Sequence, residues 1–159
     1  MKKLITTALL TFSIMSNAQF REYFTVSLAI DPTATVKEKS PNVVLEVEYY
    51  QKWLYVKAST QVLPALQGGY FDYGGGAGLN VNLGMYEKTR LYAGGRLGVI
   101  KRGGYGYPLA GAEAGINHYV SENVFIGIRA TLDHRTDFKY WGGTPENRLS
   151  TFIRIGTNF

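Results

Sequence analysis

The chain has 159 residues, room for one domain, and no cysteine, which excludes disulfide staples, thiolate metal sites and a cysteine nucleophile. Its 17 Lys and Arg outnumber 12 Asp and Glu for a formal charge of +5, but the signs alternate along the chain, which argues against a nucleic-acid partner. Nineteen glycines and twelve tyrosines, with no convincing 3.6-residue apolar period after Ala18, favour β-structure.

The first element reads as a cleaved secretory signal over residues 1–18. Lys2 and Lys3 form the basic start, Leu4 to Met15 the apolar stretch, and Ser16-Asn17-Ala18 a small-x-small cleavage site. The apolar stretch is too short for a spanning helix, which needs about 20 residues. The mature domain then covers 19–159, and losing Lys2 and Lys3 lowers the formal charge to +3.

From Tyr23 onward the dominant signal is alternation, the two-residue period that sends successive side chains to opposite faces of a sheet. Eight runs are expected. Their apolar faces are Phe24, Val26, Leu28, Ile30; then Val43, Leu45, Val47, Tyr49; then Leu54, Val56, Ala58, Thr60, Val62. The fourth has Phe71, Tyr73, Ala77, Leu79, Val81, Leu83, and the fifth Leu91, Ala93, Leu97, Val99. Ala110, Ala112, Ala114 and Ile116 make the sixth, and Val124, Ile126, Ile128, Ala130 and Leu132 the seventh. The last carries Leu149, Thr151, Ile153, Ile155, Thr157 and Phe159.

The connections are expected to alternate in length. Gln51-Lys52, 85–89 and 121–123 are short, whereas 31–41, 64–69, 101–106 and 136–148 are longer or richer in turn residues. Transmembrane barrels have this asymmetry, with short periplasmic turns and longer external loops, and an even strand count returns both termini to one side.

The opposite face holds Glu46, Glu48, Lys57, Asp72, Arg90, Arg96, Glu113, Arg129, Asp133 and Arg154, five acids and five bases, while the apolar face holds no charge. A bilayer explains the separation, because Lys or Arg facing lipid at midplane costs about 2 to 4 kcal/mol. Equal numbers of each sign let buried charges pair, so the interior is expected to be a salt-bridge plug. The fold class is therefore all-β, an eight-stranded antiparallel up-and-down transmembrane β-barrel. An interior of that size is just filled by side chains, here the ten charges with Trp53, Tyr55, Tyr92 and Phe152.

Aromatic residues agree. Phe24, Tyr49 and Phe159 fall at one end of the apolar band and Phe71 and Tyr73 at the other, where rings favour the membrane interface. Gly74, Gly75, Gly76 and Gly78 suggest a bend or close approach; no helix pattern or Lys-Ser/Thr follows to make a phosphate loop. In the last loop Phe138, Tyr140 and Trp141 are candidates for contact with a partner or with lipopolysaccharide head groups. Lys101 and Arg102, placed in the third loop, could meet lipid phosphates, though two cations are ordinary for a solvated loop.

The C-terminal run Leu-Ser-Thr-Phe-Ile-Arg-Ile-Gly-Thr-Asn-Phe, 149–159, resembles the closing strand of outer-membrane barrels, with alternating apolar residues before a terminal Phe. With the signal, essentially the whole chain is similar to the eight-stranded OmpA/OmpX-like barrels of the porin superfamily. The resemblance implies an outer-membrane location in a Gram-negative bacterium, periplasmic termini, and surrounding lipids and lipopolysaccharide. It also implies that the membrane-insertion machinery recognises Ile153, Ile155, Thr157 and Phe159.

The expected function is non-enzymatic, resting on envelope integrity or on surface interaction through the external loops, with no cofactor and no metal. Two alternatives stay open. A lipid-modifying enzyme would need His118 or His134 as base; His134 has Thr131, Asp133, Thr136 and Ser150 as prospective neighbours, and alternation puts the two histidines at opposite rims. A soluble lipocalin-like barrel would turn the apolar face inward around a ligand, and alternation alone cannot tell inside from outside.

Overall fold

The computed structural model describes residues 22–66, 68–84, 88–141 and 147–159. The signal peptide and its cleavage site lie outside the described residues, as do 85–87 and 142–146 of two connections.

Eight strands form, β1 (Glu22–Ile30), β2 (Val43–Gln51), β3 (Leu54–Leu63), β4 (Tyr70–Leu83), β5 (Thr89–Arg102), β6 (Tyr105–Tyr119), β7 (Val124–Arg135) and β8 (Asn147–Asn158). Each pairs antiparallel with its chain neighbour, and β1 closes on β8, giving one barrel in sequential order. The alternation seen in the sequence sets the register. Glu48 stands opposite Lys57, Glu46 opposite Ser59 and Arg129 opposite Phe152, all inside. Leu28 opposite Leu45 and Ile128 opposite Ile153 are outside. A slip by one residue would exchange the two faces of a strand, so the contrast between them locks the pairing.

The interior is charged and the exterior apolar. Arg90, Arg129 and Arg154 are each 1% exposed, whereas Leu28, Ile128, Ile153 and Ile155 are about half exposed. This overturns the lipocalin-like alternative, which requires the opposite assignment.

Four details differ from the sequence reading. The connection 31–42 contains a short helix, α1 (Pro32–Glu38), started by Asp31, whose carboxylate accepts from Ala34 N at 2.9 Å, with Pro32 at the first turn. A one-turn helix, α2 (Phe138–Trp141), lies in the last connection. Neither shows an apolar period, because each is too short to express one.

The third connection is not a loop over 101–106: β5 and β6 run on to a two-residue Gly103-Gly104 turn, both with positive φ. Lys101 and Arg102 are therefore strand residues, Lys101 outward and Arg102 buried inside. Trp53 sits on the outer wall, 45% exposed, instead of in the lumen. Lys52 before it takes φ 45°, and that left-handed turn residue interrupts the two-residue period.

The end of the barrel carrying α1 and α2 is called the loop end below, and the end carrying the termini the turn end. At the turn end Tyr23 stacks on Tyr50 at 5.1 Å, and the Tyr50 and Tyr119 hydroxyls are 2.5 Å apart.

Candidate functional site: the ion-paired lumen

Three tiers of charge fill the barrel, each assembled from inward positions of several strands. Around Glu46 on β2, Lys57 Nζ donates at 3.1 Å, Arg154 Nη2 lies at 3.0 Å, and Arg129 forms a further pair. Lys57 also pairs with Glu113, whose Oε1 accepts from the Tyr55 hydroxyl at 2.8 Å. Glu48 pairs with Arg90 and lies 3.6 Å from Arg154 Nη2. Arg90 lies over the Tyr50 ring at 3.9 Å, and Arg154 donates to the Tyr92 hydroxyl at 2.6 Å.

The second tier has one base between two acids. Arg96 reaches Asp133 at 3.3 Å and Asp72 at 3.8 Å, while the hydroxyls of Tyr70 and Thr131 donate to Asp72 and Asp133 at 2.5 and 2.9 Å. All ten charged positions expected inside are thus buried within the barrel, and each has an ion-pair partner.

The third tier, at the loop end, was not anticipated. Asp137, fully buried, accepts from Arg135 at 2.8 and 3.1 Å and from Arg102 at 3.1 Å. The sequence carries the signal, since Arg102 keeps the parity of Arg96 and Arg135 that of Asp133, but both lie beyond the last apolar residues of their alternating runs. With this tier and Asp31, the buried charges among the described residues number seven bases and seven acids.

Large rings and charges need room, and glycine supplies it on the inner face. A methyl at Gly115 would overlap the Tyr92 ring, and one at Gly94 would sit 2.5 Å from the Tyr55 hydroxyl. The polar cavity bounded by Asn42, Gln61, Tyr70, Asp133, Arg148 and Ser150 has a volume of about 10 Å³, enough for about one water.

The remaining sequence candidates are dispersed. Ile153, Ile155 and Phe159 point outward, Thr157 is half-buried, and Phe159 N donates to Phe24 O at 2.8 Å. Of the three loop aromatics, Tyr140 is the exposed one, at 74%. Phe138 is half-buried against the Arg135 guanidinium at 4.2 Å. Trp141 turns inward, its Nε1 donating to the Tyr107 hydroxyl at 3.2 Å and its ring facing Arg102 at 4.9 Å. The expectation that Trp141 is offered to a partner gives way to a packing role, because the glycines at 68 and 103 leave a slot for its ring.

The histidines lie at opposite ends on the outer face. His118 Nδ1 is 3.1 Å from Thr89 Oγ1, and His134 Nδ1 is 2.9 Å from Asn147 Oδ1. Asp133 and Thr131 point inward, away from His134, so the described residues assemble no nucleophile, base and acid around either ring. Among the described residues no group of three or more His, Cys, Asp or Glu could hold a metal ion.

No protein-family model and no curated protein matches the sequence. The fold matches the crystal structure of Neisserial surface protein A (NspA), an eight-stranded outer-membrane β-barrel, with a TM-score of 0.50 and 13% identity, over 89% of this chain and 98% of that one. At that identity the likeness establishes the architecture, a closed eight-stranded antiparallel barrel.

Proposed function

We propose that the chain is an integral outer-membrane barrel whose ion-paired lumen is closed to diffusion, and that it acts without catalysis, through envelope integrity or contacts made at its loop end. The observation that carries this reading is the inverted polarity of the wall: ion pairs inside, Leu, Ile, Val and Phe outside on every side of the barrel. Such a surface is stable against hydrocarbon, and a closed barrel satisfies its backbone there without a free edge around the midplane.

Finer parts of the reading rest on further features. Both strand termini of the barrel lie at the turn end, which supports a periplasmic turn end, and Phe71 and Tyr73 stand in the belt toward the loop end. Lys37, Lys39, Lys101 and Lys139 are exposed at the loop end, which supports contact with anionic lipopolysaccharide head groups. The outward Ile153, Ile155 and Phe159 support recognition by the insertion machinery. A cleaved leader over 1–18 would deliver the chain to that machinery.

The test is fractionation of cells producing the chain, followed by electrophoresis with and without heating. A band in the outer-membrane fraction whose migration changes on heating is expected, with no ion conductance after reconstitution into planar bilayers. Recovery in the soluble periplasm would overturn the location, and steady conductance would overturn the closed lumen.

A further inference from the structure

Crowding explains most of the glycines in β4, β5 and β6, but not two of them. A methyl added at Gly74, Gly78, Gly94, Gly98 or Gly111 would come within 2.2 to 2.6 Å of a neighbouring atom, so those positions admit no side chain. Gly75 and Gly95 are different. Both face outward and are exposed, neither has a positive φ, and a methyl there would meet nothing nearer than 3.4 and 3.9 Å. Glycine weakens a strand interior, and where the fold does not demand it, it marks a close approach from outside.

The two glycines floor a groove of about 590 Å³ on the outer wall, a volume in the range of small-molecule sites. Cross-strand pairing sets Ala77 beside Gly95 and Gly75 beside Leu97, and Ala112 and Ala110 continue these two rows on β6. Val56 and Leu97, both well exposed, rise from the floor as its apolar walls.

Toward the loop end the groove leads past Tyr73, Val99 and Pro108 to Lys101, which is paired across to Phe71 and Gly106. Lys101 faces outward, and its Nζ lies over Gly106, where a methyl would meet it at 3.4 Å. From Lys101 to Gly95 on β5 the distance is about 20 Å along the strand, or about 15 Å along the membrane normal at a tilt of about 40°. That is the depth of about one leaflet of the hydrocarbon core.

We infer that this groove holds an acyl chain of a phosphate-bearing lipid of the outer leaflet, the lipid A part of lipopolysaccharide, with its phosphate at Lys101. The inference rests on the membrane orientation proposed above and gives the contact with lipopolysaccharide a place on the wall. A lysine at the head of an apolar groove is a point-charge partner for a phosphate, and the ring of Phe71 beside it belongs to the interfacial belt. Gly75 and Gly95 let a chain lie against the backbone, at a depth that larger side chains would hold it away from. A second copy of this chain meeting groove to groove would instead bring two Lys101 side chains together.

The experiment adds lipid to the purified, folded barrel in detergent micelles and counts what native mass spectrometry finds retained, so a failure here leaves the fractionation result standing. The probes are diphosphoryl lipid A, dephosphorylated lipid A and phosphatidylglycerol. One diphosphoryl lipid A per barrel is expected to stay bound, with the other two retained about fivefold less. Gly95→Leu and, independently, Gly75→Leu fill the groove and should abolish retention, while the heat-dependent migration of the band confirms that each variant is folded. Lys101→Gln should reduce diphosphoryl lipid A to the level of its dephosphorylated form, and Lys101→Arg should restore it. Undiminished retention by both folded glycine variants, or by Lys101→Gln, overturns the proposal. So does phosphatidylglycerol held as firmly as lipid A, which would assign the groove to phospholipid, or a dimer that Gly95→Leu dissolves, which would assign it to a second copy.

Discussion

Glu46 is where the lumen's pairing converges, on three cations from β3, β7 and β8. Buried ion pairs stabilise little relative to apolar packing, but removing one partner leaves uncompensated charge. Glu46→Ala is expected to lower stability by about 3 to 5 kcal/mol in urea unfolding from lipid vesicles. Glu122→Ala, in the exposed turn before β7, should leave the same transition in place. Gly115→Val tests the other half of the interior, the space left for Tyr92, and overpacking there should cost about 1 to 3 kcal/mol. The ten inner charges were legible in the sequence because parity survives as long as the strand stays extended. Parity does not place Trp53, because Lys52 before it turns left-handed, and it does not reach Asp137, because no period extends into a loop.

At the scale of elements, the strands were legible and the connections less so. Each strand carries an apolar and a polar face, whereas α1 is set by its ends: Asp31 on the Ala34 amide, and Lys39, in the left-handed region, donating its N–H to Thr35 O. Asp31→Ala should weaken α1 by about 1 kcal/mol, read as faster amide exchange at Ala34 with the strand amides of β1 and β2 unchanged. α2 is held by a charge rather than a cap. Asp137→Ala leaves Arg102 and Arg135 buried without that carboxylate and releases Trp141 from its slot. Trypsin should then cut after Lys139 faster than in the unaltered barrel, and equal cutting rates would show that the tier does not hold the loop. β5 and β6 extend beyond their alternating runs because Gly103-Gly104 makes a tight turn out of residues that read, one by one, as loop formers.

For the whole molecule, the strand count, the order and the separation of charge from apolar surface followed from a two-residue period, but the period is symmetric between inside and outside. What breaks the symmetry is three-dimensional: Arg and Glu side chains from different strands meet across the lumen at 3.0 to 3.6 Å, which no single strand shows. The central claim is that this inverted barrel faces lipid with its apolar wall. Its most direct test is to place nitroxide labels singly at Ile126, Ile128, Ile153 and Ile155 of the barrel in lipid vesicles and compare collisions with oxygen and with a water-soluble nickel complex. High oxygen and low nickel collision at all four positions is the predicted result; nickel collision typical of a water-exposed surface at these positions would contradict the account.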